Sequence, residues 1–171
     1  MTITVRPART DDVAAIEALI EPFVRQRILL GKDPVVLYEA IQQFVVAEED
    51  GVVVGCGALH VMWRDLGEVR TVAVAASHRG KGVGSAVVAK LEENARELGV
   101  TRLFCLTFET AFFGARGYDA IGEVGEDTTL LVSPDVYAEL VRSPDEGIAE
   151  FLDLARVKPN TLGNTRMLKT L

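Results

Sequence analysis

Apolar positions along the chain fall into two periods, and each change of period marks an element. Residues 2–6 alternate and predict a short strand. Thr10, with Asp11 and Asp12 after it, reads as a helix cap; Val13, Ile16, Leu19, Ile20 and Phe23 then recur on one helical face. Asp33-Pro34 opens a second helix as cap and first residue, with Leu37, Tyr38 and Ile41 as its apolar stripe. Residues 44–48 and 52–61 predict strands joined around Asp50-Gly51, a hairpin signal, and residues 68–74 a third strand of the meander. The period returns to helix over 83–98, with Val83, Val87, Val88, Leu91, Ala95 and Leu98 on its apolar side and Gly99 just past its end. Residues 102–107 are apolar and β-prone, 110–115 predict a short helix stopped by Gly117, and 118–121 a further strand. Ser133-Pro134 and Ser143-Pro144 each pair a cap with a first helical residue, and 165–171 predict a last strand. An antiparallel meander, a β-α-β unit and then helices describe an α+β fold: one mixed, mostly antiparallel sheet with helices on its faces, in a single domain over 1–171.

Composition narrows the functional classes. With 49% hydrophobic and 25% charged residues, the chain of 171 can bury a core, which excludes disorder as its main state. Residues 52–63 form the longest apolar stretch, but Gly55, Gly57 and His60 interrupt it and it is too short for a membrane span. The first residues carry no signal-peptide apolar region, so a cytoplasmic location is expected. Cys56 and Cys105 sit in apolar runs and read as core thiols, and His60 and His78 fit no metal-ligand spacing, so no metal is expected. A net charge of −7 argues against general nucleic-acid binding. Positive charge gathers in two places: Arg79 and Lys81 flank Gly80, and the last sixteen residues hold Arg156, Lys158, Arg166 and Lys169 without Asp or Glu. The second cluster reads equally as an anion site or as solvated surface charge. Trp63, beside His60 and Met62, reads as a core or dimer-contact residue before an aromatic lid.

The segment 71–85 (Thr-Val-Ala-Val-Ala-Ala-Ser-His-Arg-Gly-Lys-Gly-Val-Gly-Ser) holds the most chemistry. A buried strand runs into a basic, glycine-rich turn and directly into a helix. That arrangement points backbone N–H groups and the positive end of a helix at one place, and glycines let a bulky anion come close. A phosphate or pyrophosphate is the natural occupant. The P-loop pattern fails because Lys81 precedes Gly82 and no Lys-Ser follows Gly84. The dinucleotide pattern fails because its last glycine would fall on Ser85 or Val87.

What fits is Arg-x-x-Gly-x-Gly over Arg79, Gly80, Lys81, Gly82, Val83 and Gly84. This resembles the acyl-CoA-binding motif of the GNAT acetyltransferase superfamily. Residues 112–118 (Phe-Phe-Gly-Ala-Arg-Gly-Tyr) resemble that family's second signature, a short helix ending in Gly-Phe or Gly-Tyr. The resemblance implies a sheet splayed at the acyl-CoA site, with acetyl-CoA as cosubstrate. It implies that the amides of residues 79–84, with Ser85 next to them, hold the pyrophosphate, and that Val72, Ala73 and Val74 offer backbone groups to pantetheine and to the thioester oxygen.

Residues 28–30, 56–59, 67–69, 103–107 and the Arg166-containing end are further similar to the acetyltransferase domain of N-acetylglutamate synthases, in a short, stand-alone form. That implies direct acetyl transfer to the α-amine of L-glutamate, the first step of arginine biosynthesis; glutamine, another small amine, a protein N-terminus or a non-catalytic acyl-CoA sensor are the alternatives. The chain has no room for the amino-acid-kinase-like domain that mediates arginine feedback in the longer enzymes. The implied general base is Glu68, acting through water; its other reading is a salt bridge with Arg70. Many GNAT members carry a tyrosine acid where Phe113 stands. Thr110 is the substitute acid, Thr107 the neighbouring choice, and helix capping the other duty of Thr110. A dicarboxylate acceptor calls for basic and backbone donors. The resemblance assigns Leu29, Lys32, Arg70, Thr71, Thr107, Thr165 and Arg166 to it, although the family's arginine near Arg166 falls on Gly163. Partners are then small molecules, neither nucleic acid nor membrane, with a homodimer left open.

Overall fold

Asp50 and Gly51 both take left-handed backbone angles, φ 50° and 78°, which closes the tight hairpin between two strands. This computed structural model describes residues 2–122, 131–152 and 163–171. Strand β1 (Thr4–Pro7) precedes a 3₁₀ turn (Thr10–Asp12), helix α1 (Val13–Arg25) and helix α2 (Pro34–Glu39). The meander follows as β2 (Phe44–Glu49), β3 (Val52–Trp63) and β4 (Leu66–Val74). Then come α3 (Val83–Glu97), β5 (Arg102–Thr107), α4 (Thr110–Gly114), β6 (Asp119–Ala120), α5 (Pro134–Leu140), α6 (Glu146–Leu152) and β7 (Thr165–Thr170). Among the described residues the strands follow the order β1-β2-β3-β4-β5-β7-β6. The β1·β2, β2·β3, β5·β7 and β6·β7 pairs are antiparallel and β4·β5 is parallel, so the sheet is mixed and mostly antiparallel, as expected.

Two compact units divide the chain: Met1–His60 with Val69–Leu98, and Val61–Glu68 with Gly99–Leu171. In the first, alternate residues of β3 face opposite ways. Cys56 and Ala58 join Phe44, Val46, Ile16 and Ile20 in a core under α1. Gly55 and Gly57 face the other way, onto α3: a Cβ on Gly55 would stand 2.6 Å from Val83 Cγ1, and one on Gly57 2.7 Å from Val87 Cγ1. The helix thus sits on bare backbone, which brings it closer to the strand than side chains would allow. Arg6 ties β1 to both neighbours, donating to Asp12 at 2.7 and 3.0 Å and to Glu48 at 2.9 Å. In the second unit, Leu66, Phe104, Leu140, Ile148 and Phe151 form the core, with the Phe104 and Phe151 rings edge to face at 5.4 Å. Trp63 packs on the border of this cluster.

Several local expectations are corrected. The first helical turn is capped by Arg9 rather than Thr10, because the Asp12 carboxylate reaches back to accept from the Arg9 amide at 2.7 Å. β4 starts at Leu66, two residues early, because its parallel ladder with β5 begins there. Ser143-Pro144 does not open a helix. Ser143 Oγ accepts from the Asp145 amide, and Asp145 Oδ1 accepts from Ile148 N at 3.1 Å, so the helix starts at Glu146. Tyr38 and Leu98, expected on apolar faces, are exposed. Ser133 caps α5 as expected, accepting from Val136 N.

Candidate active site

The basic loop belongs wholly to the first unit. Val72, Ala73 and Val74 end β4; a 3₁₀ turn (Ala76–His78) leads to Arg79, Gly80 and Lys81, and Gly82 is the N-cap of α3. Gly80 and Gly82 hold φ at 75° and 83°, a left-handed conformation that glycine enters without penalty. A Cβ on either would meet nothing within 4 Å, so the backbone on that side lies open to an approaching group. Gly82 has no side chain to cap the first amides of α3, at Val83, Gly84 and Ser85, and the fifteen-residue helix presents its positive end there. Exposed Arg79 and Lys81 add charge. The Arg79 guanidinium lies 5.2 Å from the Phe23 ring centre of α1, which orients it. These features fit a pyrophosphate group.

The loop has an anchor that the sequence reading passed over. His78 Nε2 donates to Glu49 Oε2 at 2.9 Å, and Ser77 Oγ stands 2.8 Å from His78 Nδ1. Glu49 ends β2 beside the hairpin, so the turn before the glycines is fastened to the meander. The His78 hydrogen bond holds the Glu49 carboxyl below the usual carboxylate range.

Thr71, within β4, has φ 58° and is buried. A left-handed β-branched residue costs on the order of 1–3 kcal/mol and persists only where its surroundings impose it. Here Cys56 Sγ donates to its carbonyl at 3.6 Å. The break in extended backbone falls immediately before Val72, resetting the strand ahead of the segment assigned to the thioester arm. Of the residues assigned to the acceptor in this unit, Leu29, Lys32 and Arg70 are half-buried.

Glu68 lies in the second unit and is 7% exposed. It stands opposite Phe104, where the β4·β5 ladder ends. Helix α6 covers it: a Cβ on Gly147 would fall onto Glu68 Oε2, 2.8 Å from Cδ and 3.0 Å from Oε1. Cys105, on β5, is buried, and desolvation followed by the nearby Glu68 charge drives its thiol strongly upward. Cys56 is likewise pushed up to about 12 by burial. Both are free thiols.

Thr107 and Thr165 are direct partners in the β5·β7 ladder. Buried Thr107 accepts from the Glu109 amide at 2.8 Å, and Glu109, not Thr110, is the N-cap of α4. Thr110 is exposed at the start of that helix, without the capping duty that was its other reading. The Arg166 guanidinium donates to Phe151 O at 3.2 Å and Gly122 O at 3.3 Å, which ties β7 to the segments around it. Arg156 and Lys158 lie outside the described residues. Among the described residues, no cluster of three or more His, Cys, Asp or Glu could hold a metal, and no helix is long and apolar enough to cross a membrane.

The Acetyltransferase (GNAT) family model matches residues 14–118, and the chain belongs to that family. An amino-acid acetyltransferase of Mycobacterium tuberculosis (strain ATCC 25618 / H37Rv) is 53% identical over 170 residues, 98% of this chain and 94% of the relative. The crystal structure of Rv2747 from Mycobacterium tuberculosis in complex with CoA and NLQ is 51% identical, with TM-score 0.88 over 98% of this chain and 99% of that one. N-acetylglutamate synthase from Neisseria gonorrhoeae, complexed with coenzyme A and N-acetyl-glutamate, is 25% identical, with TM-score 0.77 over 100% of this chain and 35% of that one. The chain is an acetyl-CoA-dependent acetyltransferase of that family and is similar over nearly its whole length to an amino-acid acetyltransferase, in agreement with the sequence reading.

Proposed function

We propose that the chain, as one acetyltransferase domain over residues 1–171, transfers the acetyl group of acetyl-CoA to the α-amine of L-glutamate, the first step of arginine biosynthesis. Acetyl-CoA supplies the activated thioester. The amides of residues 79–84 and the start of α3 hold the pyrophosphate, with the Arg79 and Lys81 charges beside it. The backbone of Val72–Val74 aligns the pantetheine arm and donates to the thioester oxygen. Glu68 takes the proton of the attacking ammonium through a water, the amine nitrogen bonds the acetyl carbon, and the carbon–sulfur bond breaks. Thr110, or Thr107 two residues beyond Cys105, gives a proton to the leaving thiolate and regains one from the second proton that the nitrogen sheds as the amide forms. Leu29, Lys32, Arg70, Thr71, Thr165 and Arg166 are the residues this reading assigns to the acceptor.

The observation that carries the proposal is a buried carboxylate, Glu68, on the same strand that runs into the open, positively charged glycine loop. Likeness to a synthase complexed with N-acetyl-glutamate supports glutamate as the acceptor. The test is thiol release from acetyl-CoA against all twenty amino acids, with polyamines and peptides as controls. Turnover highest with L-glutamate supports the proposal. A preference for glutamine or a peptide replaces the acceptor, and binding without turnover over the whole panel overturns catalysis. Full kcat in Glu68→Gln at every pH removes the base from the scheme.

A further inference from the structure

We infer that Gly147 is a positioning residue for the Glu68 carboxylate, an inference that rests on Glu68 being the general base. Gly147 is the second residue of α6, and its φ is not among the left-handed values that make glycine necessary elsewhere in the chain. Helix propensity favours alanine over glycine at a position with ordinary helical angles. The backbone thus gives no reason for glycine here, and the neighbour does. All three terminal heavy atoms of Glu68 lie within 3.0 Å of the place a Cβ on Gly147 would take.

The helix cannot easily withdraw to make room. Asp145 and Ser143 fix its first turn, while Ile148, Phe151 and Leu152 lock its body into the core with Leu66 and Phe104, the latter being the ladder partner of Glu68. The carboxylate is the far end of a flexible side chain, so it is the part that yields. A methyl group at 147 therefore leaves the fold intact and moves the base out of place. The missing side chain makes the pocket wall against which Glu68 is held.

The experiment is a double-mutant cycle of Gly147→Ala and Glu68→Gln, measuring kcat, KM for both substrates, the pH dependence of kcat and Tm. A positioned general base contributes roughly 10²–10⁴-fold. Gly147→Ala is expected to keep or raise Tm, leave KM for acetyl-CoA unchanged, lower kcat by about tenfold or more and displace the acid limb of the kcat profile. The double variant is expected to be no slower than Glu68→Gln alone, because both act through one group. If Glu68→Gln loses kcat while Gly147→Ala keeps the wild-type kcat and pH profile, the inference fails and the base stands. Multiplicative losses in the double variant also overturn it, since Gly147 would then act independently. Full kcat in Glu68→Gln overturns the base and the inference with it.

Discussion

Gly57→Ala tests whether bare backbone on β3 is what seats α3. The added methyl would stand 2.7 Å from Val87 Cγ1, 3.0 Å from Leu91 Cδ1 and 3.4 Å from Val72 Cγ2. Val87 and Leu91 are fully buried, so neither can swing into solvent. Overpacking of this kind costs about 1–3 kcal/mol, as the helix or its side chains shift by a few tenths of an ångström. Replacing glycine also restricts the unfolded chain, which offsets about 0.4–1 kcal/mol. A net loss near 1–2 kcal/mol corresponds to a Tm lowered by about 2–8 °C in a chain of this length. Thermal unfolding followed by circular dichroism reads this directly, with urea midpoints as the second measure. Because α3 begins at the glycine loop proposed to hold the pyrophosphate, KM for acetyl-CoA is expected to rise more than KM for the amino acid. Val87→Ala removes the nearest obstacle, so the double variant should be more stable than the sum of the two losses predicts, by about 1 kcal/mol of coupling. An unchanged Tm in Gly57→Ala, or strictly additive losses in the cycle, would refute the reasoning.

Two further outcomes follow from the titrating groups. Cys56 and Cys105 are buried with raised pKa values, the former up to about 12, so Ellman's reagent should titrate neither thiol in the native protein and both in denaturant; prompt reaction of a native thiol would contradict their burial. The Arg6 guanidinium holds the Asp12 carboxyl below its ordinary value of about 3.9, so the pair stabilises the fold above that pH and the contribution is lost as pH falls through the lower folded value. Urea midpoints from pH 7 to 3 should therefore fall more steeply in the wild type than in Asp12→Asn, and parallel curves would disprove the linkage.

Elements governed by their own neighbours were legible in the sequence. The Asp50-Gly51 hairpin, the Asp33-Pro34 and Ser133-Pro134 helix starts, the run of α3 up to Gly99 and the strand 102–107 all stand where turn chemistry and periodicity place them. The glycine loop was legible for the same reason, since its strand, turn and helix are consecutive. What escaped depends on partners distant along the chain or on competition among nearby polar groups. Asp12 serves the Arg9 amide and Arg6 at once, which moves the cap off Thr10. Asp145 outcompetes Ser143 for the α6 cap because it sits three residues before an amide that needs an acceptor. Glu68 was singled out, but the approach of Gly147 to it leaves no periodic trace; only a glycine in an otherwise ordinary helix hints at it. The Glu49 tie to His78 is invisible for the same reason, since no spacing rule links a strand end to a turn so far along the chain.

That tie gives the meander an unexpected duty. Surface hairpins are normally tolerant places, where an extra residue, a tag or a grafted peptide does little harm. Here the carboxylate gripping His78 is the residue immediately before Asp50, so lengthening the turn would tug on the segment leading into Arg79. An engineer choosing an insertion point should treat this corner as part of the support of the glycine loop.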